Sequence, residues 1–163
     1  MLKTHKLSAL LVAVLALSGC AIADAQPDTA TMKPFGNGVD AAVGDLLVQD
    51  TTVVMHDDGT AVLTLTAINN GDATDELVGV TVDGAEANFS PSATINPNGG
   101  TLRIGFNSDY FAEVTGSSVK PGTHVDVTYT FKKAGSLTVN ALVVEPLGEY
   151  SLVTPQPADA ESL

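Results

Sequence analysis

Side chains that could do chemistry are scarce in this chain of 163 residues. Cys20 is the sole cysteine, the methionines are Met1, Met32 and Met55, and the histidines are His5, His56 and His124. Thioether and imidazole are donors for a soft metal ion. Met55-His56 is an adjacent pair of such donors, but neighbours on a strand point to opposite faces, which works against chelation. His124 stands alone on the polar side of an alternating run. A composite of Met32, Met55, His56 and His124 is therefore the weak alternative to a core methionine and solvated histidines. Hard donors fare no better. Asp57-Asp58-Gly59 has too few oxygens for Ca²⁺ and reads as a turn. Asp72, Asp75 and Glu76 crowd after Asn70, which hints at cation affinity, yet capping of backbone N–H groups explains them. Gly99-Gly100 lacks the helix and the Lys-Ser/Thr pair of a phosphate loop. No serine sits in a nucleophile elbow, and nucleophilic catalysis has little to work with. No enzyme is expected, and no resident cofactor.

The elements around these residues begin with Cys20 itself. Lys3, His5 and Lys6 lead into an apolar run from Leu7 to Leu17, broken only by Ser8. The run is short for a bilayer span. A basic start, a short apolar core and small residues before a cut describe a secretory signal peptide. Leu17-Ser18-Gly19-Cys20 resembles the bacterial lipobox, in which the cysteine is acylated and becomes the first residue. The expected order is a signal peptide over 1–19, a lipidated Cys20 with a flexible tether over 20–43, a β-domain over 44–154 and an acidic disordered tail over 155–163. Pro27, Pro34, Gly36 and Gly38 mark the tether, and Pro155 and Pro157 the tail. The expected location is the outer face of the cell membrane, held by lipid at Cys20.

Charge narrows the partners. Seven Lys and Arg face nineteen Asp and Glu, for a net charge of −12. Lys3 and Lys6 leave with the leader, so 5 − 19 gives −14 for the mature chain. Such a surface repels phosphate backbones, and nucleic acid is not an expected partner.

Between tether and tail the hydrophobic period is two. Val125, Val127, Tyr129 and Phe131 alternate with His124, Asp126, Thr128 and Thr130. That predicts a half-buried strand with the aromatics inward. Leu137 to Val143 repeats the pattern after Lys133-Ala134-Gly135, a hairpin loop. Leu46–Gln49, Thr52–Met55, Ala61–Ile68, Leu77–Val82, Thr101–Ile104 and Tyr110–Val114 supply further strands. No long helical period occurs. The expected fold is all-β, a small antiparallel β-sandwich with cupredoxin-like or immunoglobulin-like Greek-key connections.

Three segments then fall in a telling order. They are Asn70 to Val80 (NGDATDELVGV), Pro97 to Leu102 (PNGGTL), and Val119-Lys120-Pro121-Gly122 leading to the hairpin that ends in Ser136-Leu137-Thr138-Val139. This order resembles the periplasmic copper chaperones of the PCu(A)C type, over roughly Gly44 to Val144. The resemblance implies a β-sandwich that holds Cu(I) with His and Met on neighbouring loops and serves copper delivery to cytochrome oxidase. At the matching places this chain carries Ser90 for one His, and Phe111 and Glu113 for a His-x-Met pair. None is a soft donor. The resemblance thus implies a relative without the family copper site. Its implied role is a protein-binding accessory or assembly factor of the respiratory chain, with the oxidase as partner. The alternatives are a copper carrier with rearranged ligands and an envelope structural or adhesion module. Phe89, Tyr110 and Phe111 stand on the corresponding loops as candidate partner contacts, and in a strand Tyr110 and Phe111 would face opposite sides.

Lipid attachment is directly testable. Cys20→Ser is expected to shift the protein from the membrane fraction to the soluble fraction, or to stall its processing, because a single acyl signal is marginal and no polybasic segment backs it. A variant that stays quantitatively with the membrane excludes lipid as the anchor.

Overall fold

The computed structural model describes residues 38–90 and 93–156. The expected signal peptide, Cys20, Met32 and the last residues of the acidic tail lie outside them. Eleven strands run in chain order: β1 (Val39–Val43), β2 (Leu46–Met55), β3 (Ala61–Asn69), β4 (Asp75–Val82), β5 (Ala85–Glu86), β6 (Asn88–Phe89), β7 (Ala93–Ile95), β8 (Gly100–Ile104), β9 (Ala112–Val114), β10 (His124–Phe131) and β11 (Gly135–Val144). A short 3-10 turn, η1 (Gly148–Leu152), follows.

Hydrogen bonding links the strands in the order β5-β4-β10-β11-β2-β3-β9-β6, with β1 on β2, β7 on β4 and β8 on β3. β11 belongs to two sheets. Over Leu142 to Gly135 it pairs with β10, and at Val143 and Val144 it passes to β2. The two sheets therefore wrap one core as a nearly closed, barrel-like β-structure. All pairings are antiparallel except β11 with β2. The expected all-β fold is the one found.

Alternation explains the core. Val125, Val127, Tyr129 and Phe131 of β10 are buried against Leu77, Val80 and Val82 of β4 and the inward residues of β3. Tyr129 and Phe131 lie with ring centroids 6.3 Å apart. The Tyr129 hydroxyl shares a hydrogen bond of 3.0 Å with Thr51 Oγ1 on β2. Burial pushes the phenol pKa well above its usual value, and the bond to Thr51 only partly opposes that.

Thr51 reaches the core because β2 is not regular. Gln49 pairs with Thr66 and Thr52 with Thr64, so two residues of β2 oppose one of β3. Asp50 takes a φ of 56° there. This β-bulge switches the inward parity, from Leu46 and Val48 before it to Thr51 and Val53 after it. Val54 and Val62 then face away from the core, yet they are buried. The chain after β11 crosses that outer face and places Val153 on them.

Two expected boundaries need correction. The tether was expected to reach residue 43, but Val39–Val43 is strand β1, paired with β2. Val39, Ala41 and Val43 pack on the core while Asp40 and Ala42 are exposed, a period-two signal made weak by small residues. The expected tail from Pro155 also starts too early, because the Gln156 N–H is fixed to the Glu113 carboxylate at 2.9 Å.

The register of β10 gives a stability test. Phe131→Ala is expected to cost about 3–5 kcal/mol as a buried aromatic truncation. Thr130→Ala, on the exposed face, is expected to stay within about 0.5 kcal/mol. Urea denaturation midpoints decide it, and equal effects would refute the inward face given above.

Candidate functional site

Ser90, Phe111 and Glu113 lie where β3, β9 and β6 meet. β9 pairs with β3 through Ala61↔Val114 and Val62↔Glu113. On its other side it pairs with β6 through Asn88↔Glu113 and Phe89↔Ala112. Just past β6, Ser90 is buried and clasps Phe111 twice. The Ser90 N–H donates to the Phe111 carbonyl at 3.0 Å, and the Phe111 N–H donates to Ser90 Oγ at 2.9 Å. Glu113 is only 8 % exposed. Its neighbours Ala112 and Val114 enter the core, so its side chain lies on the outer face beside Val62. There its Oε2 accepts the Gln156 N–H. Ser90, Phe111 and Glu113 are thus brought together, with Ser90 Oγ and one Glu113 carboxylate oxygen engaged in internal hydrogen bonds.

The aromatic residues are placed differently from the alternation expected for a strand. β9 begins only at Ala112. Tyr110 still belongs to a loop, its N–H held by Ser108 Oγ at 3.0 Å and its carbonyl by the Gly105 N–H at 3.2 Å. Phe89 and Tyr110 are half-buried and pack on the core; Phe111 is half-buried. The exposed aromatic of this region is Phe106. It lines a shallow groove of about 220 Å³ with Asp50, Thr64, Thr66 and Arg103. Sequence reasoning missed Phe106 because Gly105-Phe106-Asn107 lies in a turn with no period to read.

The soft donors do not gather. Met55 packs against the core, and His124 is exposed on β10 opposite Leu142. His56 opens the β2–β3 hairpin, and its Nε2 is the one buried side-chain polar atom without a hydrogen-bond partner among the described residues. Also among the described residues, no three His, Cys, Asp or Glu side chains are grouped to hold a metal ion. In the same hairpin Asp58 Oδ1 accepts the Thr60 N–H at 2.8 Å, the turn expected from Asp57-Asp58-Gly59. That bond, aided by the Thr60 hydroxyl and the nearby His56, holds the Asp58 carboxyl below the usual carboxylate range against a small effect of burial.

The acidic loop after β3 is spent on structure. Asp72 is exposed, and Glu76 pairs with Lys132 at 2.9 Å. Asp75 is buried and accepts three backbone N–H groups, from Glu76 at 2.8 Å and from Lys133 and Ala134 at 2.9 Å each. It pins the tip of the β10–β11 hairpin to the start of β4. Burial pushes its carboxyl pKa up, but the three N–H donors and the Lys133 charge outweigh that and leave it lowered.

Solved structures share this arrangement of strands. A copper-bound PCuAC domain from PmoF2 aligns with a TM-score of 0.57 and 23 % identity, over 66 % of this chain and 99 % of that domain. The chain has the PCuAC fold. An apo PCuAC domain from PmoF1 gives 0.55 and 22 % over 66 % of this chain and all of its own (100 %), and an apo PmoF2 PCuAC domain gives 0.55 and 21 % over 68 % and 98 %. No family model and no curated protein matches the chain. Within the PCuAC fold, then, the resemblance noted from NGDATDELVGV and PNGG rests on segments that form the Asp75 clasp and the turn into β8.

The Asp75 clasp predicts a pH dependence. A carboxyl whose pKa is lowered by folding adds stability above its unfolded pKa of about 3.9, and that stability fades as pH falls through the lower folded value. Asp75→Asn is expected to lower stability at pH 7 by about 1.5–3 kcal/mol and to flatten the acid limb of the stability curve. Urea midpoints between neutral and acid pH measure it, and an unchanged acid limb would show that other carboxylates carry the effect.

Proposed function

We propose that this chain is a membrane-anchored extracytoplasmic lipoprotein whose PCuAC-type domain has exchanged a copper site for a protein-binding role. The reading has it serve as an accessory or assembly factor of the respiratory chain, with cytochrome oxidase as the partner. One observation carries the loss of copper. At the places that match the family ligands, Ser90 and Phe111 bond to each other and Glu113 bonds to Gln156. A hydroxyl, an apolar ring and a carboxylate are poor donors for Cu(I), and the hydroxyl and one carboxylate oxygen already accept hydrogen bonds. Anchoring rests on the lipobox-like Leu17-Ser18-Gly19-Cys20. The oxidase rests on the analogy of fold, which suggests a neighbourhood and not a mechanism.

A second reading has one observation in its favour. The unpartnered, buried Nε2 of His56 stands beside Met55 in sequence, which suits a copper carrier with rearranged ligands. Met55 would have to leave its core packing to join it.

Copper retention separates the two. The soluble Cys20→Ser protein is expected to lose Cu(I) to a competing chelator and to bind none stoichiometrically. A tight one-to-one complex overturns the first reading, and its loss on His56→Ala would establish the second. For the partner, Phe111→Ala spares the backbone clasp to Ser90. It is expected to abolish co-purification with oxidase subunits from solubilised membranes at a nearly unchanged Tm. Co-purification that survives it removes this face as the contact.

A further inference from the structure

Two Asn-Gly pairs lie in the loops that flank Asn69. Asn70-Gly71 follows β3 directly, and Asn98-Gly99 forms the turn between β7 and β8. Asn70 and Asn98 are both exposed. Asn-Gly is the pair most open to spontaneous deamidation, because glycine has no side chain to hinder attack by its own nitrogen. Here both glycine nitrogens are engaged. The Gly71 N–H donates to Asn69 Oδ1 at 3.0 Å, and the Gly99 N–H donates to the Asn69 carbonyl at 2.7 Å. Asn69 is itself fixed, 2 % exposed, with Nδ2 donating to Ala73 at 2.8 Å and to Ile95 at 3.1 Å. The two turns are also tied to each other, since the Asn98 N–H donates to the Gly71 carbonyl at 2.8 Å.

We propose that Asn70 and Asn98 are latent deamidation sites, both held shut by Asn69. The reaction needs no catalyst beyond water and base. The Gly71 nitrogen loses its proton and attacks Asn70 Cγ. The N–Cγ bond forms, the Cγ–Nδ2 bond breaks, and ammonia leaves with the proton. Water then opens the cyclic imide at either carbonyl, giving aspartate or isoaspartate. Asn98 and Gly99 follow the same course. A glycine N–H that is donating a hydrogen bond is harder to deprotonate and is aimed away from Cγ. The folded domain therefore protects both sites, and local opening of this loop pair exposes them. Each event adds a negative charge next to the Asp75 clasp, and the isoaspartyl product lengthens the turn backbone by one carbon.

The two guards differ in kind, which makes the test selective. Asn69→Ala removes the side-chain acceptor of Gly71 but keeps the backbone acceptor of Gly99. Peptide mapping by mass spectrometry after incubation at mildly alkaline pH reads the exchange of amide for carboxyl at each site. In the variant, deamidation at Asn70 is expected to rise about tenfold, the factor that about 1.4 kcal/mol of hydrogen-bond protection represents, with Asn98 little changed. An unchanged Asn70 rate in a folded variant overturns the proposal. If the variant unfolds, the unaltered chain still decides it. Both sites are expected to react much more slowly in the folded protein than in urea, and equal rates overturn it.

Discussion

The bond between the Tyr129 hydroxyl and Thr51 is the contact on which the sandwich turns. It joins β10 of one sheet to β2 of the other through the middle of the core. A buried hydroxyl without a partner is costly, so each group requires the other in place. Thr51 can meet Tyr129 only because Asp50 inserts a bulge and flips the parity of β2. The same flip turns Val54 outward, which creates a second apolar face opposite the core. Val153 covers that face, and the chain carrying it brings Gln156 to Glu113. One hydrogen bond, one bulge and one outer covering segment are thus steps of a single geometric requirement.

What could be read from the sequence follows from this. β10 was plain because eight residues alternate without interruption, and its inward face is the buried one. The gap expected between Gln49 and Thr52 is the bulge itself, since parity cannot be kept across it. β1 was hidden among glycines, prolines and small residues whose alternation carries little hydrophobic contrast. The outer covering was missed although a signal existed. Thr52-Val53-Val54-Met55 and Ala61-Val62-Leu63 are unbroken runs, and a strand that is apolar on both sides is buried on both sides. At the candidate site, the family resemblance suggested the positions Ser90, Phe111 and Glu113. It could not supply their partners, because backbone N–H groups of distant residues have no side-chain signature.

The proposed exchange of copper donors carries a physical requirement. A site built for an ion leaves polar groups and space if its ligands are merely deleted, and both destabilise a small domain. Here Ser90 and Phe111 close on each other as a short extension of the β6–β9 pairing, and Glu113 is capped from outside. Their surroundings are ordinary strand pairing. Phe106, by contrast, is left partly exposed on the neighbouring loop, beside the one arginine of the chain.

β1 has a mechanical meaning as well. Its five residues are held to β2 by antiparallel pairing, with Val39 opposite Thr51 and Val43 opposite Leu46. Gly38, just ahead of it, lies so close to the Asp50 backbone that a Cβ there would come within 2.5 Å. Any pull transmitted through the preceding chain enters the domain at this point, next to the bulge. A force across the strand opens such a pairing rung by rung, whereas a force along it loads the rungs together. The direction in which the chain leaves Gly38 therefore sets whether β1 acts as a zipper or as a shear joint, and the Thr51–Tyr129 bond starts from a residue of the first rung and feels the load directly.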